Sequence, residues 1–157
     1  SDATTLDMFE ISYLLSKLKV EKIMIKKVET VDAEEVVEEA ARFMADRKIG
    51  CLPVMENGVL SGIITETDIF KAFVTMFGAR HPGVRSIIQL NEKPGELAKI
   101  VDKIAEKNGN IVSLVTADGK DVTKRAVTIK VGNISKSDIE EIYKNADVEI
   151  IDIRETK

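Results

Sequence analysis

Gly78-Ala-Arg-His-Pro-Gly83 decides how this 157-residue chain is read. It is dense in backbone breakers and has no apolar period, whereas periodic sequence runs up to it and away from it. The expected boundaries follow: a helical segment at 1–19, a first unit at 20–77, a hinge at 78–83 and a second unit at 84–157. At about 70 residues, each unit has a marginal core of its own. Both are therefore expected to lean on neighbours, and a homo-oligomer, at least a dimer, is the default.

Upstream, Ile11, Leu14, Leu15 and Leu18 recur at helical spacing and form one apolar face. A short strand is expected at Val28–Val31. Asp32 reads as a helix N-cap, with Glu35 three residues on completing a capping box. Val36, Ala40, Phe43 and Met44 are that helix's buried stripe. Cys51-Leu-Pro-Val-Met55 reads as a strand, with Pro53 pointing to an edge or a bulge. Asn57-Gly58 is a tight hairpin turn, and Val59–Thr65 the return strand. Ile69, Phe70, Phe73, Val74 and Phe77 mark a last helix. The order is helix, then β-α-β-β-α.

Downstream, Val84–Leu90 reads as a strand and Pro94–Lys107 as a helix with the stripe Leu97, Ile100, Val101, Ile104. Gly109 is the expected left-handed residue after it. Ile111–Thr116 is a strand, Asp118-Gly119 a hairpin turn, and Val127, Ile129 and Val131 alternate on the next strand. Ser135 caps a short helix, and Val148–Ile153 is the final strand. This β-α-β-β-α-β order is ferredoxin-like, so the expected class is α+β.

Composition removes whole functional classes. The chain has 23 basic and 27 acidic side chains, and its formal charge of −4 argues against nucleic-acid binding. No apolar run approaches the roughly 18 residues of a membrane span, and the polar start Ser1-Asp-Ala-Thr-Thr-Leu-Asp7 is no signal peptide. The absence of an initial Met points to processing or to a longer gene product. Cys51 and His81 are the only residues of their types. An intrachain disulfide and a Cys/His metal site are thereby excluded, and a reducing, cytoplasmic setting is expected. Cys51 itself reads as a small buried apolar residue. No motif gathers a carboxylate pair, an activated nucleophile or a phosphate loop, so no catalytic residue, metal or cofactor is assigned.

Asp32-Ala-Glu-Glu-Val-Val-Glu-Glu-Ala-Ala, Ile49-Gly-Cys-Leu-Pro-Val54, Asn57-Gly58 and Gly62-Ile-Ile-Thr-Glu-Thr-Asp68 occur in the order of a cystathionine-β-synthase (CBS) motif. The first unit resembles that family from about Val20 to Phe77. CBS motifs work in pairs that bind adenine nucleotides or adenosyl ligands. Only one is present here, and residues 1–19 look like the linker between a first and a second motif. The resemblance therefore implies a fragment, or a motif that pairs across a dimer. It places phosphate and ribose at Thr65, Thr67 and Asp68, and base and sugar at Ile25, Val28, Thr30, Ile49, Gly50 and Cys51. Thr65 and Asp68 also have the spacing of a helix-capping box that needs no ligand, and both readings stand.

The second unit, with Asn91-Glu-Lys-Pro-Gly-Glu-Leu-Ala-Lys-Ile100 followed by Gly109-Asn-Ile111, resembles an ACT domain. That resemblance implies dimerisation and an amino-acid site at Asn91, Glu92, Gly95, Glu96, Leu97, Asn110 and Ile111. Glu92 would meet the ammonium, and the Gly95–Leu97 amides at the helix start the carboxylate. The order CBS then ACT is similar to the acetoin-utilisation B-type proteins. The implied function is regulatory ligand sensing, without enzymatic activity. An oligomerisation module with no ligand is the alternative, and a nucleotide-acting enzyme a more distant one.

Overall fold

In the computed structural model, described for residues 7–146 and 148–157, contacts divide the chain into two compact units, 1–64 and 65–157. In the first unit, α1 (Met8–Lys17) starts at Asp7, which forms a capping box with Glu10. A single turn, α2 (Val20–Ile23), follows. The apolar stripe of α1 covers nothing among the described residues; Leu14 is 56% exposed and Leu15 62%. Three strands, β1 (Val31–Asp32), β2 (Cys51–Glu56) and β3 (Val59–Thr65), form a sheet in that order. The helix α3 (Val37–Arg47) packs Ala40 and Met44 inward, and Leu52 of β2 is buried.

The strand expected at Val28–Val31 is two residues long and lies later. It runs parallel to β2 only at Val31↔Val54 and Asp32↔Met55, so its pairing stops beside Pro53, which has no N–H to give. Asp32 does not cap α3. Its carboxylate accepts from the Glu34 N–H at 2.9 Å, a local Asx turn that delays the helix until after Val36. Asn57 and Gly58 take φ of +51° and +78°, the left-handed pair that a two-residue hairpin turn requires.

The second unit opens with α4 (Glu66–Met76) and continues as β4 (Gly83–Asn91), α5 (Glu96–Glu106), β5 (Asn110–Asp118), β6 (Lys124–Gly132), α6 (Lys136–Asn145) and β7 (Glu149–Thr156). The last six elements have the expected β-α-β-β-α-β order. The sheet order is β5-β6-β4-β7, with antiparallel pairing throughout. This is the ferredoxin-like arrangement: the first and third strands of the unit lie centrally, and two helices cover one face. Val84, Ile88 and Leu90 of β4 and Val127, Ile129 and Val131 of β6 meet Ile100 and Ile104 of α5 and Ile139, Ile142 and Tyr143 of α6. Ser135 caps α6 as expected, accepting from the Asp138 N–H at 3.1 Å.

Two local expectations are corrected. The left-handed residue after α5 is Asn108, at φ +58°. Gly109 is needed for a different reason, since a Cβ there would lie 2.7 Å from Ile104 Cγ2. The β5–β6 connection is longer than an Asp118-Gly119 turn. It runs to Thr123 and is closed by the Asp121 carboxylate accepting from the Thr123 N–H at 2.8 Å.

Candidate functional site

The start of α4 is built from Thr65 and the first turn it caps. Thr65 is extended, with φ −124° and ψ +164°. Its hydroxyl accepts from the Asp68 N–H at 3.4 Å, while the Asp68 carboxylate accepts from the Thr65 N–H at 3.0 Å and from the Thr65 hydroxyl at 2.7 Å. This is the reciprocal box that the spacing allowed. Those bonds to Thr65, and then Lys71, hold the Asp68 carboxyl below its ordinary range. Among the described residues Asp68 Oδ1 meets just Lys71 Nζ, at 3.4 Å, and Thr67 is exposed beside it. The turn thus presents free carboxylate lone pairs and a hydroxyl, groups suited to a diol. Glu66 and Asp68 both lie in this first turn, which opposes a bare anion there.

The other residues assigned to an adenosyl ligand lie in the first unit. Ile25 and Val28 are exposed in irregular chain, and Ile49, Gly50 and Cys51 lead into β2. The thiol of Cys51 is exposed rather than buried; its neighbour Leu52 takes the inward position. Thr30 lines a cavity of about 220 Å³ with Asp32, Glu35, Glu39 and Arg42. Arg42 is held by Glu39 through its Nε at 3.0 Å, so that cavity is acidic.

In the second unit, β4 ends at Asn91 and the chain turns into α5 through Gly95, at φ +88°. A Cβ on Gly95 would meet nothing within 4 Å, so the glycine serves its conformation and leaves the backbone open to approach. A cleft of about 350 Å³ lies at this turn and is lined by the expected Asn91, Glu92, Glu96 and Leu97. Lys93, Thr116 and Arg125 line it too and were not foreseen. Arg125 donates to Glu92 from Nε at 2.6 Å and lies 3.3 Å from Asp118. That bond keeps the Glu92 carboxyl below its ordinary range. Glu92 is therefore partly committed and faces a cation already. Arg125 is 33 residues away in sequence and arrives only through the β4–β6 register, opposite Leu90. Because α5 and β5 separate β4 from β6 in the chain, no local sequence pattern announces this neighbour. Asn110 and Ile111 pair with Gly132 and Val131, at the far end of β5 from this cleft within one chain.

Residues 20–75 match the CBS domain, and residues 82–154 match the TTHA0829-like ACT domain. The chain carries a CBS domain followed by an ACT domain. The CBS domain-containing protein YhcV of Bacillus subtilis (strain 168) is 40% identical over 50 residues, 32% of this chain and 36% of that protein. The inosine-5'-monophosphate dehydrogenase of Korarchaeum cryptofilum (strain OPF8) is 31% identical over 116 residues, 68% of this chain and 24% of the enzyme. The chain thus spans well under half of either relative. The solved prephenate dehydratase from Staphylococcus aureus subsp. aureus Mu50 aligns with 88% of this chain and 65% of its own, at a TM-score of 0.39 and 11% identity; that likeness is too loose to bear on the site. CBS and ACT domains are regulatory, so the CBS–ACT chain is a regulatory ligand-sensing module. Among the described residues no three His, Cys, Asp or Glu side chains group to hold a metal ion, and no helix is long and apolar enough to cross a membrane.

Proposed function

We propose that this CBS–ACT chain senses two small molecules, an adenine nucleotide or adenosyl ligand at the CBS domain and an amino acid at the ACT domain. The cleft at the β4–α5 turn carries the reading. It sets Glu92 and Glu96 beside Lys93 and Arg125 next to an open glycine backbone, and an amino acid brings one charge of each sign. The ligand carboxylate would meet the Gly95–Leu97 amides and Arg125, and the ammonium the outer lone pairs of Glu92. At the CBS domain, Asp68 and Thr67 would take the ribose, with a second CBS motif supplied by a partner chain or another segment. The partner is a second copy, at least a dimer, in the cytoplasm. The CBS-then-ACT order supports a likeness to the acetoin-utilisation B-type proteins, which is part of this proposal.

A thermal-shift panel of AMP, ADP, ATP, NAD, S-adenosylmethionine and the common amino acids tests this. One site at ~100 times its dissociation constant gains about 2.7 kcal/mol, a shift of roughly 5–10 °C for a chain of this size. Asp68→Ala should abolish the adenosyl shift and Arg125→Ala the amino-acid shift, each sparing the other. No shift with any ligand, repeated with an upstream CBS motif joined, favours a second reading, an oligomerisation module. The exposed apolar side chains of α1 and α4 are what favour that alternative.

A further inference from the structure

The helix α4 has two owners. By sequence match it closes the CBS domain, which runs to residue 75. By contact it belongs to the compact unit that contains the ACT sheet. Its attachment there is specific and sits at its carboxyl end. Ser113 of β5 donates its hydroxyl to the Phe77 carbonyl at 3.2 Å, and Lys130 of β6 donates its ammonium to the Gly78 carbonyl at 2.8 Å. Gly78 is left-handed, at φ +56°, and a Cβ on it would lie 2.4 Å from Val112 Cγ1. A bare glycine therefore lets the helix end rest on β5.

Lys130 is the unusual member. Its residue is 4% exposed, and the Gly78 carbonyl is the one hydrogen-bond acceptor its ammonium meets among the described residues. A buried ammonium is costly unless something compensates it. The compensation here is a helix terminus: α4 has no basic residue in its last turn, and its closing carbonyls, with the Gly78 carbonyl that also accepts from the His81 N–H, lie at the negative end of the helix dipole. Lys130 supplies that missing charge from another element. The body of the helix is only partly covered: no residue of α4 is buried, and Ile69, Ala72 and Val74 are half-buried. A bar held mainly at one end moves with whatever holds it.

We propose that α4 is the transmission element between the two domains, with Lys130 and Ser113 as positioning residues that clasp it to the ACT sheet. This rests on the two-ligand reading above, because the amino end of the same helix carries Thr65, Thr67 and Asp68. A ligand that shifts the β5–β6 pair would shift α4 as a body, and with it those three side chains. The coupling is reciprocal.

Amide hydrogen exchange on the full chain without ligand tests it. In Lys130→Met, the amides of Phe77, Gly78 and Ala79 should exchange at least tenfold faster, and the increase should extend back to Ile69–Phe73. Amides of β4 and β6 should keep their protection, which shows an intact ACT fold. Ser113→Ala, which removes only a hydroxyl, should act in the same direction severalfold and decides the matter if Lys130→Met does not fold. Faster exchange confined to residues 77–79, or none in α4, overturns the transmission role. Because no ligand enters this measurement, a chain that fails the thermal-shift panel is distinguished from one whose α4 is not clasped.

Discussion

Tyr143 and Ser86 show how a polar pair lives in the apolar core. Tyr143 is fully buried, and its hydroxyl lies 2.6 Å from that of Ser86, which also reaches the Ile129 carbonyl at 3.4 Å. Burial raises the Tyr143 phenol above its ordinary range, and the Ser86 bond acts against that rise. The two partners should not be equivalent on removal. Tyr143→Phe leaves Ser86 with Ile129 and should cost about 1 kcal/mol, whereas Ser86→Ala strands a buried phenol and should cost about 1–3 kcal/mol. Urea unfolding of both variants measures the asymmetry. At the start of α4, the Asp68 carboxyl is depressed by Thr65. Its contribution is therefore present above the ordinary carboxylate range and is lost as pH falls through the depressed value. Asp68→Asn should flatten the acid limb of an α4 exchange profile between pH 5 and 2; an unchanged limb assigns that loss to other carboxylates. Cys51 marks a limit of reading by residue type. Cysteine is usually inside, but in β2 the inward position belongs to Leu52, so Cys51 should label rapidly with a thiol reagent.

Among the elements, the ACT strands and helices were legible because their apolar periods match the layers that bury them. Leu97, Ile100 and Ile104 face a sheet whose own alternation, Val127, Ile129 and Val131, meets them. Where side chains compete with the backbone, legibility failed. Asp32 has the spacing of an N-cap, yet it serves a turn, and α3 starts five residues later. Gly109 read as a left-handed cap because glycine is the commonest one, although Asn108 takes that conformation and Gly109 is required by closeness to Ile104. The start of α5 makes the distinction testable. Gly95 has open space and a left-handed φ, so Gly95→Ala should cost about 1–2 kcal/mol through backbone strain alone, read as a fall in Tm. Gly109→Ala pairs an ordinary φ with a clash and should depend on whether Ile104 can move. The candidate site divides along the same line. Asn91, Glu92, Glu96 and Leu97 are neighbours in sequence and were readable as a turn, while Arg125 and Thr116 reach it through strand pairing that no local pattern encodes.

At the scale of the whole molecule, the two domains differ in how much core they close. Among the described residues, the ACT domain buries apolar side chains from both helices and its central strands. The described residues of the 1–64 unit bury just Ala40, Met44 and Leu52. Unfolding should therefore depart from a single transition. Protection of Cys51 should be low throughout, and the loss of tyrosine burial at Tyr143 should come at the higher temperature. Coincident transitions by calorimetry and near-ultraviolet dichroism would show instead that the domains unfold as one. Sedimentation of the chain should show a species heavier than the monomer, since α1 and β3 present apolar side chains that a lone chain leaves in water.

The shared ownership of α4 also bears on dissection and on gene shuffling. A cut in the breaker-rich stretch 78–83 looks natural from sequence, but an ACT fragment that begins at Gly83 would lose the carbonyls of Phe77 and Gly78 that Ser113 and Lys130 hold. Its sheet would open a lysine and a serine to water and forfeit the two bonds that clasp the helix end. A fragment 65–157 should therefore melt higher than 83–157. A recombination event that exchanged this ACT domain for another would carry the helix with it, or would need a new partner for that lysine.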